Sequence, residues 1–207
     1  MPGGATEVLD GRQGRAARSR LAICEACLDL VQDGVLQPSA DQIAERAAVS
    51  RRSIFNHFAD LAELYDAVVE VGMQRCAPLL EHISAKQTVA RRIEQLVHVR
   101  CRFLEATAPF TRALTAQALV GPATDQAIRV SRDGLRTHHA DIERIFRRNL
   151  APLSAKERAE IIEALSAATN PLQWEYLRRT RGNSMARAVA IVKRTLTSIL
   201  NDAGVRG

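Results

Sequence analysis

The sequence predicts an all-α protein of about nine helices, a three-helix module at the N-terminus followed by a larger helical bundle. Three observations carry that reading. Apolar residues recur at three- and four-residue spacings along most of the chain, which places them on one face of a helix. No stretch alternates apolar and polar residues between turn residues, as a half-buried strand would. Aromatics are only 4% of the 207 residues while 46% are hydrophobic, so the expected core is aliphatic. That hydrophobic share, beside 25% charged residues, excludes wholesale disorder.

Residues 1–14 are rich in glycine and polar groups and read as a flexible, arginine-containing arm. The first helix is expected from about Arg15 to Asp33, with Leu21, Cys24, Cys27, Leu28 and Val31 on one face. Gly34 ends it, because glycine accepts the positive φ of a helix stop. Ser39 caps a short helix near Ala40–Ala47, its hydroxyl accepting a first-turn N–H. Ser50 does the same for Arg51–His57, and Asp60 for a long helix from Leu61 to about Ser84. Further helices follow at Thr88–Thr107, Pro109–Val120, Thr124–Leu150, Ala155–Thr180 and Ser184–Asn201. Ala108-Pro109, Gly121-Pro122, Pro152 with Ser154, and Gly182-Asn183-Ser184 mark their boundaries. Pro78 and Pro171 lie inside helical patterns and are expected to kink or break them.

Composition excludes several function classes. No apolar run approaches the roughly 18 residues that span a bilayer, and the polar start has no apolar segment of a secretion signal. Four cysteines without framework spacing fit a reducing compartment, so the expected location is cytoplasmic. Cys24 and Cys27 lie three apart on one helix face, where they serve as small core residues rather than a redox or metal pair. His138 and His139 project about 100° apart on a helix, which disfavours joint chelation, and no metal site is expected from them or from His82 and His98. No Ser-His-Asp order, glycine-rich phosphate loop or metalloprotease helix is present, so neither an enzyme nor a cofactor is expected.

The net charge of +6 does not by itself indicate nucleic acid. Residues 1–60 hold seven arginines and eight acids, a balance of −1, and the excess lies beyond them. Placement says more. Arg12, Arg15, Arg18 and Arg20 follow one another without an intervening acid, and Arg51-Arg52 opens a helix. Such local groups neutralise phosphates even on a nearly neutral module.

Ser39 to Phe58 reads SADQIAERAAVSRRSIFNHF. Two short helices joined by Ala48-Val49-Ser50 have the dimensions of a helix-turn-helix. Ile43, Ala44, Ala47, Val49, Ile54 and Phe58 supply the packing between them. Arg51, Arg52, Ser53, Asn56 and His57 are left on the outer face, where donors and mixed donor-acceptors suit phosphates and major-groove base edges.

This stretch resembles the DNA-binding domain of the TetR family of transcriptional repressors. The family pattern is Thr-x-x-x-Ile-Ala-x-x-Ala-Gly-Val-Ser-x-Gly-Thr-Leu-Tyr-x-His-Phe after a helix that ends in Gly. Gly34, Ser39, Ile43-Ala44, Ala47, Val49-Ser50, Ser53-Ile54, Phe55 and His57-Phe58 fall in register with it. Three departures stand out: Phe55 replaces a tyrosine, Arg52 a small glycine, and Leu61 a residue that is often basic. The resemblance implies a regulator, most often a repressor, with a double-stranded DNA operator as partner. The expected DNA contacts are Ser39, Gln42, Ser50, Arg51, Arg52, Ser53, Phe55, Asn56 and His57, with Arg12, Arg15 and Arg18 from the arm. It further implies residues 15–60 as the DNA-binding domain and 61–207 as an effector-binding and dimerisation domain. The homodimer is expected through about 155–201, along Ile161, Leu165, Ala168 and Leu172 and along Ala188, Ile191, Val192, Thr195 and Ile199.

Phe103, Phe110, Phe146 and Trp174 concentrate aromatic surface in the second half, so with Gln173 they are the expected lining of an effector pocket. A small molecule between the Thr88–Leu150 helices is expected to act on the reading heads through the Leu61–Ser84 helix, with Pro78 setting a bend. The alternative is a member of the fold that binds small molecules or proteins and has lost its operator.

Overall fold

The computed structural model describes residues 4–120 and 125–205. Among them every regular element is helical. The elements are α1 (Gly4–Gln32), α2 (Ala40–Arg46), α3 (Arg51–His57), α4 (Leu61–Cys76), α5 (Val89–Val120), α6 (Asp125–Leu150), α7 (Ala155–Ala168), α8 (Pro171–Glu175) and α9 (Met185–Asp202). A 3-10 turn at Ala77–Leu79 follows α4, and a π-helical turn at Tyr176–Thr180 follows α8. No described helix is long and apolar enough to cross a membrane.

The chain divides into two compact units, Met1–Arg75 with Pro109–Ile128, and Cys76–Ala108 with Arg129–Gly207. In the first, Ile23, Cys24, Cys27 and Leu28 of α1 meet Ile43 and Ala44 of α2, Ile54 of α3, Phe58, and Leu64 and Val68 of α4. Leu21, expected on this face, is 45% exposed, and Ile23 takes its place at the core. Burial pushes the Cys24 thiol up to about 11 and the Cys27 thiol to about 12, so both stay protonated and apolar. The second unit is built around Ile93, Val97, Ile142, Phe146, Leu165 and Trp174, closed by Ala188, Val192, Leu196 and Leu200 along one stripe of α9.

Local chemistry sets most of the boundaries. Ser39 and Ser154 each form a capping box, with Gln42 and Glu157 respectively. Ser50, Asn170 and Ser184 accept the N–H three residues on. Gly34 stops α1 at φ +95°, its N–H on the Val31 carbonyl and that of Val35 on Leu30.

Three elements differ from expectation. α1 starts at Gly4 rather than near Arg15, since no proline interrupts it and Ala16, Ala17 and the arginines favour helix. The long helix after Asp60 ends at Cys76, not near Ser84, because Pro78 has no N–H to donate and disfavours the α conformation at Ala77. By contrast, α5 runs unbroken through Pro109. There the ring only forfeits the bond to the Glu105 carbonyl, while Ala108 and Ala113 on either side are buried. The Ala155–Thr180 stretch breaks at Thr169-Asn170, as expected of Pro171, which restarts it as the first residue of α8. The Gly121-Pro122 boundary and Thr124 lie outside the described residues.

Candidate nucleic-acid interface

α2, the Ala47–Ser50 turn and α3 make a helix-turn-helix whose geometry follows from a few polar groups. The Ser39 hydroxyl accepts the Gln42 N–H at 3.3 Å while the Gln42 side-chain carbonyl accepts the Ser39 N–H at 2.9 Å. The amide NH2 of Gln42 makes neither of these bonds, so the capping box leaves it available as a donor. At the end of α2 the Ala48 N–H reaches the Glu45 carbonyl (3.2 Å) and the Val49 N–H the Ala44 carbonyl (3.0 Å), a helix stop with Ala48 in the left-handed region at φ +53°. The sharp turn brings Ser50 to the cap of α3, its hydroxyl accepting the Ser53 N–H at 3.1 Å.

Ala48 was not singled out by sequence reasoning, although the TetR-type pattern has glycine there. A Cβ in the left-handed region costs about 1–2 kcal/mol, and glycine's greater freedom in the unfolded chain returns part of that. Ala48→Gly is therefore expected to stabilise the protein by up to about 1 kcal/mol. Urea unfolding reads this directly, and a lowered midpoint would contradict it.

α3 turns Ile54 inward, fully buried, and carries Arg51, Arg52, Phe55 and Asn56 exposed and Ser53 and His57 half-buried. Arg51 is partly engaged: its guanidinium lies 3.2 Å from the Asp41 carboxylate and 5.8 Å from the Phe55 ring centroid. Both ends of that ion pair are largely exposed, so it holds Arg51 only weakly. Arg52 and Asn56 make no hydrogen bond or ion pair with any described residue.

Arg20 departs from the role its place in the arginine run suggests. Its guanidinium donates to the His57 carbonyl and to the Glu63 carboxylate (2.9 Å), and it stacks 4.0 Å from the centroid of the buried Phe58 ring. It ties α1 to the end of α3 and the start of α4, so its donors serve the fold. Glu63 also accepts the Ala59 N–H at 2.7 Å, and that bond, with Arg20, holds its carboxyl below the usual range. Tyr65 donates to the Pro38 carbonyl (2.8 Å), anchoring the loop before α2 to α4. Leu61, the departure from a basic residue, is half-buried against this core. Arg15 and Arg18 are exposed on α1 without partners among the described residues, while the Arg12 side chain lies outside them.

None of the five residues expected to line an effector pocket borders the cavity of the second unit. Phe146 and Trp174 are packed in the core of the second unit, 0% and 1% exposed, and Phe110 packs in the first unit. Phe103 is buried beside Arg100, and Gln173 is half-buried in the first turn of α8 with its N–H on Asn170. The Trp174 indole N–H donates to Glu105 (2.8 Å), which also receives the Arg178 guanidinium at 2.6 Å, so a polar clasp rather than a ligand wall surrounds it. A cavity of about 200 Å³ does lie in this unit, lined by other residues, among them Ile83, Leu96, Val99, Arg100, His138 and Arg144.

A capped helix, a tight left-handed turn and a second helix with free donors outward define a helix-turn-helix protein. Comparison with solved structures places most of the chain in a known architecture. It superposes on a transcriptional regulator from Rhodococcus sp. Rha1 with a TM-score of 0.68 at 16% identity, over 93% of this chain and 99% of that one. It superposes on a TetR-family transcriptional regulator from Streptomyces coelicolor with a TM-score of 0.70 at 14% identity, over 91% and 82%. No family model matches the chain, and no curated protein matches it in sequence. The chain has the TetR-type fold.

Proposed function

We propose that this chain is a cytoplasmic DNA-binding transcriptional regulator, a repressor that holds a palindromic operator as a homodimer and responds to a small molecule in its second unit. The observation that carries the reading is the outer face of α3, where Arg52 and Asn56 stand exposed with their donors unspent. Arg52 forks onto guanine O6 and N7, and His57 and Ser50 contact phosphate. Ser39, Gln42, Arg51, Ser53 and Phe55 complete the contact surface. A single module of this size buries little DNA surface, so two on a dyad are needed for affinity and for reading a palindrome.

The surface supporting a dimer is the outer side of α7–α9. Leu165, Ala188 and Val192, expected on that seam, are instead buried within the unit. Of the expected seam, Leu172 is 68% exposed and Ile161, Ala168, Ile191 and Ile199 are half-buried against the unit's own core, and Tyr176, 49% exposed, adds apolar surface beside them. Because the helix after Asp60 stops at Cys76, the element that links ligand occupancy to DNA affinity is α5, which contributes to both units. About 3 kcal/mol of ligand preference for one state is enough for a large change in operator affinity.

A second reading, in which the chain keeps the fold and has lost operator binding, is favoured by the pairing of Arg51 with Asp41 and by the −1 balance of residues 1–60. Gel shifts of the full chain against duplexes from its own upstream intergenic DNA separate the two. A retarded band that competitor DNA of unrelated sequence does not remove supports the regulator, and its absence across that region supports the second reading. Removal of residues 1–14 is expected to make the salt dependence of DNA binding shallower, because Arg12 is lost as a phosphate contact and Arg15 and Arg18 lose the helical turns before them. An unchanged slope of log affinity against log salt would remove the arm from the interface.

A further inference from the structure

We propose that the cavity of the second unit is a binding site for a small organic monocarboxylic acid, with Arg100 as the residue that holds its carboxylate. Arg100, on α5, is 7% exposed, and its Nε donates to the Thr169 carbonyl at 3.0 Å. Its two terminal nitrogens have no partner among the described residues, and its side chain lines the cavity. The guanidinium lies 5.4 Å from the Phe103 ring centroid and leaves its terminal nitrogens open to the cavity, where an anion would complete it.

The other charges on the cavity wall are already answered. Arg144 donates to Asp141 (3.0 and 3.3 Å) and to the Ile83 carbonyl (3.0 Å), and Glu81 faces Arg102 at 3.8 Å. Arg92, the other buried arginine of α5, spends both terminal nitrogens, on the Ile145 carbonyl (2.5 Å) and the Asn149 side chain (2.8 Å). Arg92 leaves only its buried Nε without a partner, whereas Arg100 bonds its Nε and leaves both terminal nitrogens open. His138 adds no charge. Its Nε2 lies 2.7 Å from the Thr169 hydroxyl, which itself donates to the Leu165 carbonyl at 2.7 Å, so Nε2 carries the proton and donates. Burial lowers Arg100 to about 10, still cationic at neutral pH.

The class of ligand follows from the mixed wall: Leu80, Ile83, Leu96, Val99 and Ile145 stand beside the polar side chains, which accommodates a short hydrocarbon body next to the carboxylate. A cavity of about 200 Å³ is smaller than the roughly 300–1,000 Å³ of common ligand sites, so a short acyl chain or a single ring is the size that fits. One open guanidinium fork matches one carboxylate. The effector role of such an acid rests on the regulator reading; its binding does not, and is measured without DNA.

The test is calorimetric titration of the full chain with benzoate and hexanoate, with benzamide and hexanamide as uncharged counterparts, and with inorganic phosphate. At least one acid is expected to saturate the protein, its amide binding about tenfold or more weaker, in line with a charged hydrogen-bonded pair. Arg100→Gln is expected to erase the preference for acid over amide, and Arg100→Lys to keep part of it. Equal binding of acid and amide, phosphate binding as tight as the acids, or no saturation by either acid below about 10 mM would overturn the assignment. So would unchanged acid binding in Arg100→Gln; if that variant does not fold, the acid-to-amide ratio of the native protein decides. Acid binding without any operator binding would count against the regulator reading and leave this site standing.

Discussion

Arg52→Ala is expected to cost about 1–3 kcal/mol on the cognate operator and to relax the preference at one base pair. Arg52 stands on the exposed side of α3, beyond the Ser50 cap, with no internal partner to lose when it is removed. The folded module should therefore be unaffected and the whole loss should fall on DNA reading. His57→Ala is expected to behave differently, weakening all sequences about equally, as a phosphate contact does. Binding of both variants to a library of randomised duplexes checks the distinction. If Arg52→Ala loses affinity evenly across the library, Arg52 does not read a base.

Unfolding free energy is expected to fall by about 1 kcal/mol per pH unit between pH 6.5 and 4.5 through His138 alone. Burial pushes this imidazole from its ordinary 6.5 down to about 3, and the nearby Arg100 and His139 add to the effect. Across the window the unfolded chain binds a proton that the folded protein does not. The sign follows: stability is full above pH 6.5 and is lost as pH falls toward the folded value. Glu63, Glu94 and Glu157, held below the usual carboxylate range when folded, add to the slope near the lower limit, so the difference between native protein and variant is what isolates His138. His138→Gln, which retains a donor for Thr169, is expected to flatten the slope, and urea titrations across a pH series measure it. A slope shared equally by the variant would assign the acid sensitivity elsewhere.

What could be read in the chain and what could not divides along range of interaction. The helix starts at Ser39, Ser50, Ser154 and Ser184 and the stop at Gly34 are set by groups within a few residues, so the sequence displays them. α3 matches its expected range, and Arg52 and Asn56 lie outward as the helical period requires. Pro78 and Pro109 look alike in sequence and act oppositely, because the packing around Ala108 and Ala113 sustains a helix across one and nothing comparable spans the other. Arg20 was legible as a basic residue but not as a clasp, since its partners His57 and Glu63 are distant in the chain. The second unit was least legible. Aromatic concentration pointed to a pocket, yet Phe146 and Trp174 are core, and the cavity is marked by an arginine that only tertiary structure reveals as unpaired.

The measurement that bears most directly on DNA reading is selection of bound duplexes from a randomised library by the full chain, repeated with Arg52→Ala. A two-fold symmetric site, with half-sites spaced by about one helical turn or a multiple of it, is the expected product, its consensus blurred at one symmetric pair of positions by the variant. A pool that stays random after repeated selection, or a consensus unchanged by Arg52→Ala, would contradict α3 as the element that reads the operator.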